Sequence, residues 1–134
     1  KKILAKHLSD TQNNSFLNIV LFGGEPFLYF EMIKEICEWV WGNNWPVEYI
    51  FNFSTNGTLL TNEIREWLNK NSKRILLTLS ADGARESHNI NRNNSFDKID
   101  FRFFVETWKN PYVKMTISEQ TLTRLAEDII FFMT

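Results

Sequence analysis

Short apolar runs and amphipathic helical patterns alternate along this chain, and that order constrains the fold more than any other feature. The apolar runs occupy residues 16–22, 47–54, 74–80 and 112–117. Each is rich in branched and aromatic residues, and helical periodicity fills the stretches between them. Because parallel strands need a long crossover, this alternation predicts an α/β fold with about four parallel strands. The nearly continuous apolar runs further predict a sheet that is buried on both faces.

The helical stretches carry periodic and capping signals. In residues 31–41 the apolar positions recur at spacings of three and four, with charged residues on the other face. Thr61 and Ser95 stand where side chains can cap the helices that follow them. Another helix is predicted over the first residues, and the last segment carries one continuous apolar stripe. Its members are Leu122, Leu125, Ala126, Ile129, Ile130 and Met133.

Length, charge and cysteine content exclude several functional classes. At 134 residues the chain is one domain or part of one. Its net charge of −1 comes from scattered charged residues, so we expect no nucleic-acid partner. The apolar runs are too short to span a bilayer, and the first residues lack the apolar region of a signal peptide. The single cysteine rules out an internal disulfide and predicts a reducing, cytoplasmic setting.

Polar and glycine-containing motifs follow the first three predicted strands. They are Gly-Gly-Glu-Pro at 23–26, Ser-Thr-Asn-Gly at 54–57 and Ser-Ala-Asp-Gly at 80–83. Each taken alone is an ordinary turn or strand–helix connection. The carboxyl ends of parallel strands, however, share one edge of a sheet, where α/β folds build their sites. The sequence therefore predicts that all three motifs line one site.

The residue types in these motifs indicate the charge of the ligand. Gly23 and Gly24 permit close approach to the backbone, and Pro26 suits the first position of a helix. Glu25 and Asp82 bring carboxylates, which favour a cationic or zwitterionic ligand over a polyphosphate. Glu25 also has a second interpretation, because a carboxylate at a helix N-terminus complements the helix dipole.

The segments "FGGEPFL", "STNGTLLT" and "LSADGARESHNINR" resemble the radical S-adenosylmethionine (SAM) enzymes. The branch they resemble matures peptides and proteins and includes the anaerobic sulfatase-maturing enzymes. The similarity runs from about residue 17 to residue 130. It implies that residues 1–134 form the central fragment of an open, partial TIM-like barrel, truncated at both ends. It also implies an oxidoreductase or maturase that uses a 5′-deoxyadenosyl radical to modify a peptide or protein substrate.

The resemblance assigns roles to individual residues. The segment 23–26 is expected to receive the methionyl ammonium group of SAM, which accounts for the negative charge of Glu25. Ser80 is expected to contact the methionyl carboxylate or the ribose, and Arg92 to pair with that carboxylate. Further expected roles are a strand-end turn shaped by Asp82 and a cavity wall formed by Ser54 and Asn56.

One departure from the family concerns its iron–sulfur ligands. Radical SAM enzymes hold a 4Fe-4S cluster on a Cys-x-x-x-Cys-x-x-Cys loop, and this chain contains only Cys37. Cys37 lies in a helical apolar stripe, which is typical of a core residue. We therefore expect no metal site, weak cofactor binding and no turnover by this fragment. A partial barrel leaves two unpaired sheet edges and an uncovered inner face. With 12 Phe and 5 Trp in the chain, these surfaces predict self-association that sedimentation can measure.

Two other functions remain open at this point. One is a doubly wound module that binds a nucleotide or phosphate, although neither a Gly-x-Gly-x-x-Gly nor a Walker loop occurs. The other is a non-catalytic α/β binding domain whose turns only resemble a site. His7 and His88 lack the clustered spacing of a metal site, and we expect solvated or capping histidines instead.

Overall fold

A computed structural model describes residues 1–10 and 16–133, which form one sheet with helices beside it. The strands are β1 (Phe16–Leu21), β2 (Glu48–Thr55), β3 (Ile75–Ser80) and β4 (Tyr112–Lys114). The helices are α1 (Lys2–Asp10), α2 (Phe30–Trp41), α3 (Asn62–Asn71), α4 (Arg85–Asn91), α5 (Phe101–Thr107) and α6 (Leu125–Phe131). Single 3₁₀ turns occupy Pro26–Tyr29, Ser72–Arg74, Phe96–Lys98 and Leu122–Arg124.

The four strands form a parallel sheet in the order β1-β2-β3-β4. Each strand pairs with the next along the chain, and aligned pairs such as Leu21–Phe53 and Thr55–Leu79 set the register. The predicted α/β class and parallel arrangement are confirmed. Because the strands run in one direction, the segments that follow β1, β2 and β3 all emerge at the same edge of the sheet.

The core lies between one face of the sheet and the helices. Phe51, Phe53 and Leu77 point to this face, and each is at most 2% exposed. Aromatic rings connect the sheet to the helical layer, with ring centroids 6.0 Å apart for Phe27–Phe53. Burial of each such side chain stabilises the fold by about 2–3 kcal/mol relative to exposure. This layer holds the strands in place, and with them the strand ends that carry the polar motifs.

The opposite face of the sheet is not buried in the described part of the chain. This contradicts the prediction of burial on both faces that came from the apolar runs, and it agrees with the uncovered inner face expected of a partial barrel. Val20 is 55% exposed, and Asn18 and Ser54 are also exposed. Along β3 buried and half-buried residues alternate, as expected for a strand with one face on the core. The polar residues at alternate positions of "FNFS" and "LTLS" already carried this signal.

Two helix predictions differ from the structure. Thr61 does cap α3, since its hydroxyl accepts the Ile64 N–H at 3.3 Å. Ser95 caps no helix; the stretch after it breaks, and α5 is capped by Asp100, which accepts the Phe103 N–H at 3.1 Å. The final apolar stripe is largely exposed, with Leu122 and Ile130 each at 57%. In the described chain, no helix combines the length and hydropathy needed to cross a bilayer.

Candidate functional site

A cleft of about 370 Å³ opens at the carboxyl edge of the sheet. Most of the residues predicted for the site meet there, and they come from the ends of β1, β2 and β3 and from the end of α4. The predicted residues that line it are Gly23, Gly24, Glu25, Ser54, Asn56, Ser80 and Arg92. The structure therefore brings the three motifs together, as their positions at parallel strand ends required.

Two predicted residues lie outside this cleft. Pro26 starts the 3₁₀ turn after β1 and lines a neighbouring, more apolar groove of about 520 Å³ beside α2. Asp82 is 1% exposed and lies beneath the rim of the cleft, so its carboxylate acts on the protein itself. The expectation that Asp82 shapes the strand-end turn agrees with this position, whereas the structure places it outside the cleft lining.

The Glu25 carboxylate ties the end of β1 to the end of β2. One of its oxygens accepts the Thr55 hydroxyl at 2.7 Å and the Phe27 N–H at 3.3 Å. The other accepts the Asn56 N–H at 2.7 Å. Glu25 thus caps the following 3₁₀ turn, as its alternative interpretation required, and it also puts a negative charge at the cleft. Thr55 was not among the predicted residues, although it belongs to the Ser-Thr-Asn-Gly motif.

The turn after β2 is held by its own side chains. Asn56 Oδ1 accepts both the N–H and the hydroxyl of Thr58, at 2.9 and 2.8 Å. Gly57 has φ +74°, a conformation in which an added Cβ would also crowd Leu79. Because Asn56 Oδ1 is used in this turn, the group that it offers to the cleft is its side-chain amide NH₂.

A buried ion pair holds the rim at β3 and β4. Arg92 donates from Nε to Asp82 Oδ2 at 2.7 Å and from Nη2 to Asp82 Oδ1 at 2.9 Å. The Thr116 N–H donates to the same Asp82 oxygen at 2.7 Å. These bonds connect the turn after β3, the end of α4 and the chain that follows β4. Arg92 therefore reaches the cleft with its charge already compensated by Asp82.

His88 is buried, so of the two roles expected for the histidines, solvated or capping, the solvated one is wrong for this residue. It lies in α4, a helix that the sequence analysis did not predict, and is 0% exposed. Its Nδ1 accepts the Asp82 N–H at 3.3 Å, and its Nε2 lies 3.0 Å from the Ser95 hydroxyl. His88 thus has the expected capping role: its ring accepts a backbone N–H of the turn after β3, and it also contacts the Ser95 hydroxyl.

Helix α6 closes the outside of the same turn. The Asp128 carboxylate, 2% exposed, accepts the Ala84 N–H at 3.0 Å. Gly83 has φ +98°, and an added Cβ there would collide with the Asp128 side chain. No sequence signal pointed to Asp128, because it follows Ala84 by more than forty positions and has the pattern of an ordinary polar residue on a helix.

Two further cleft residues were missed by the sequence analysis. Asn52 and Lys114 line the cleft beside Ser54 and Ser80. Lys114 is aligned with Ser80 across the β3–β4 pair, so both side chains lie on the same face of the sheet. A strict period of two along each strand was the signal that could have found them.

The residues described here do not form a metal centre. No group of three or more His, Cys, Asp and Glu side chains suited to a metal occurs in residues 1–10 and 16–133. Cys37 is 0% exposed in α2, and burial raises the pKa of its thiol to about 12. A thiol in that environment stays protonated, whereas iron–sulfur clusters bind thiolates, so Cys37 does not fit as a cluster ligand.

The environment of His88 predicts a pH dependence of stability. Burial lowers the pKa of this imidazole, and the charge of Arg92 lowers it further while Asp82 raises it. The native state therefore binds fewer protons than the unfolded chain, whose histidines titrate near pH 6.5. The free energy of unfolding should fall as the pH drops below about 6.5, by at most about 1.4 kcal/mol per pH unit from this residue.

Urea unfolding of His88→Gln and wild type between pH 7.5 and 5.5 measures this effect. The wild type should lose more stability over this range than His88→Gln, which lacks the titrating ring. His7→Gln, which removes the other histidine of the chain, is measured alongside as the control. Equal slopes for wild type and His88→Gln would contradict the assignment.

Comparisons with known proteins identify similar chains. No family model matches the sequence. Two relatives, both cysteine-type anaerobic sulfatase-maturating enzymes of Clostridium perfringens, are similar in sequence. The one from strain ATCC 13124 is 32% identical over 94 residues, which are 65% of this chain and 25% of the relative. The one from strain 13 is 34% identical over 88 residues, 58% and 22% of the two chains.

Solved structures show the same fold. Native anSMEcpe with bound AdoMet and a Kp18Cys peptide matches with a TM-score of 0.75 and 24% identity, over 90% of this chain and 35% of that chain. Native anSMEcpe with bound AdoMet matches with a TM-score of 0.75 and 23% identity, over 91% and 35%. The expected open, partial TIM-like arrangement and the resemblance to anaerobic sulfatase-maturing enzymes are confirmed. The chain spans about a quarter of the length of the curated relatives that it matches.

Proposed function

We propose that this chain is the cofactor-binding part of a radical SAM enzyme that modifies a peptide or protein, and that its cleft binds SAM. The observation that carries this proposal is the convergence of three strand-end motifs on one cleft with charges of both signs. The similarity to sulfatase-maturating enzymes supports it, as do the solved relatives with bound AdoMet. The peptide bound in one of those structures supports a peptide substrate for the whole protein.

The lining of the cleft suits a zwitterionic sulfonium ligand. A volume of about 370 Å³ lies within the usual range for small-molecule sites. Gly23 and Gly24 are exposed and a Cβ at either would meet no atom within 4 Å, so a ligand can approach the backbone there. The negative charge of Glu25 favours the ammonium and sulfonium groups of SAM and disfavours a polyphosphate.

Glu25 is proposed to act on the ligand through its field. Both of its oxygens already accept hydrogen bonds from Thr55, Phe27 and Asn56. Residues 22–24 line the cleft, and their backbone carbonyls are the acceptors that we propose for an ammonium group. Glu25 then fixes the position of this segment and lowers the electrostatic energy of a cation bound to it.

The chemistry of the proposed reaction belongs to the cofactors. SAM, given an electron from a 4Fe-4S cluster, supplies hydrogen abstraction from the substrate, and the protein binds and orients it. Cys37 does not fit as a cluster ligand, so we assign no cluster to the described residues. On its own residues the chain is proposed to bind SAM weakly and not to turn over. Its single buried thiol suits the proposed reducing, cytoplasmic setting.

Amide NMR spectra of the ¹⁵N-labelled chain test this proposal. Titration with SAM should shift the resonances of Gly23, Gly24, Asn56 and Ser80, with millimolar affinity. ATP serves as the control ligand, because it shares the adenine and ribose rings with SAM and carries a polyphosphate in place of the methionyl sulfonium group. It should cause smaller shifts, since Glu25 repels the phosphates.

The Glu25→Gln variant makes the test specific for charge. Loss of the carboxylate should reduce the preference for SAM over ATP, while circular dichroism confirms that the variant is folded. Shifts from SAM that map away from the cleft would overturn the proposal. An equal response to ATP and SAM in the wild type would favour the nucleotide- or phosphate-binding alternative, and no response to either would favour a non-catalytic binding domain.

A further inference from the structure

The two cationic side chains at the cleft differ in their electrostatic environment. Both hydrogen bonds from Arg92 to Asp82 are made by the face of the guanidinium that carries Nε and Nη2. The Asp82 side chain is fully buried, and the Arg92 side chain that pairs with it is 24% exposed. Since Arg92 is paired in this way, its positive charge adds little to the potential inside the cleft.

Lys114, by contrast, brings a charge that no carboxylate offsets. It forms no ion pair with any residue of the described ranges 1–10 and 16–133. Its backbone is fixed, because the Lys114 carbonyl accepts the Ala81 N–H at 3.1 Å. Its exposed side chain lines the cleft on the same face as Ser80, with which it is aligned in the sheet.

We propose that Lys114, together with the Ser80 hydroxyl, is a carboxylate-binding pair of the cleft, and that Arg92 is a positioning residue that does not contact the ligand. An ammonium and a neighbouring hydroxyl supply one donor to each oxygen of a carboxylate. The carboxylate comes from the methionyl group of SAM or from an acidic side chain of the peptide substrate. Both sources follow from the proposed function, on which this part of the inference rests, whereas carboxylate binding by Lys114 can be tested by itself.

The position of Glu25 favours a single carboxylate over a longer anion. Its oxygens lie at the end of β2, two strands away from Lys114 on β4. At the usual strand spacing this is about 10 Å, close to the screening length of physiological salt. A carboxylate at Lys114 therefore feels little repulsion from Glu25, whereas a polyphosphate that fills the cleft extends towards it.

Two pairs of probes separate the sources of the carboxylate. The first pair is SAM and decarboxylated SAM; the second is acetyl-alanyl-glutamyl-alanine amide and its glutaminyl analogue. In the wild type, removal of the carboxylate should weaken binding about fivefold for at least one pair, as measured by NMR titration. In Lys114→Gln this ratio should fall to about one. Lys109→Gln, which removes an exposed lysine outside the cleft, should keep the wild-type ratio.

The two pairs of probes identify which carboxylate Lys114 binds. Loss of discrimination in the SAM pair assigns the methionyl carboxylate to Lys114, and loss in the peptide pair assigns a substrate carboxylate. If neither SAM ligand binds, the proposed function fails, while the peptide pair still tests Lys114. The inference is overturned if neither pair is discriminated by the wild type, or if Lys114→Gln keeps every ratio that the wild type shows.

Discussion

Replacement of Arg92 by glutamine is expected to lower the free energy of unfolding by about 3 kcal/mol, because it leaves the buried Asp82 charge without its partner. The Asp82 side chain is 0% exposed and the Arg92 side chain is 24% exposed. Most of the lost stability therefore comes from the unpaired Asp82 carboxylate, which cannot reach water. Urea unfolding of the two proteins at pH 7 measures the difference.

Two further variants isolate the buried charge as the cause. Asp82→Asn should cost less than Arg92→Gln, since the partly exposed Arg92 can turn to solvent and the new amide oxygen can still accept the Thr116 N–H. The double variant should be more stable than Arg92→Gln alone, because it contains no unpaired buried charge. A double variant that is less stable than either single one would show that geometry, not charge, dominates here.

The control for this prediction is a surface ion pair. Arg102 donates to Glu106 one helical turn away at 2.6 Å, and its side chain is 83% exposed. Arg102→Gln should change the free energy of unfolding by no more than about 0.5 kcal/mol, since exposed pairs of this spacing contribute little. Comparing Arg92→Gln with Arg102→Gln tests the effect of burial, because the same residue type is replaced in the same way at both positions.

Replacement of Gly83 by alanine is the second change with a large expected effect. The backbone there has φ +98°, a region that residues with a Cβ avoid, and the new methyl group would collide with Asp128. Strain and overpacking together should lower the free energy of unfolding by about 3 kcal/mol. The change should also displace α6, which NMR detects as shifts in residues 125–131.

Gly23→Ala provides the matched control. Gly23 is not in the left-handed region, and an added Cβ would have no atom within 4 Å. We expect its free energy of unfolding to stay within about 0.5 kcal/mol of the wild type, as for most surface changes. If Gly83→Ala were equally harmless, the packing of Asp128 against the turn after β3 would be wrong.

Both large effects concern the turn after β3, which follows Ser80 at the rim of the cleft. Arg92, Thr116 and His88 hold Asp82 from one side, and Asp128 holds the backbone after it. Ser80 lies two residues before Asp82, at the rim of the cleft. The buried polar groups thus fix the geometry of a proposed ligand contact without touching the ligand, which is how rigid surroundings preorganise a binding site.

Much of the fold was predictable from local patterns. Apolar runs and helical periodicity predicted the four strands and their parallel arrangement, and Thr61 predicted the start of α3. Helix α4 was missed because its sequence, Arg85–Asn91, is polar and carries no apolar stripe. Its packing depends on the buried His88, whose ring is held by Asp82 and Ser95. Such a helix is stabilised by tertiary contacts that no local pattern encodes.

The sequence by itself determined that the three motifs share one rim of this sheet. The alternation of apolar runs and helical patterns predicts parallel strands, and parallel strands end at one edge of a sheet, so the three motifs were expected there. Only the tertiary structure decided which charges are free to act there. Asp82 compensates Arg92, neutral donors hold Glu25, and Lys114 stays unpaired among the described residues. Those pairings depend on distances in space between residues of different elements, and local sequence patterns do not encode such distances.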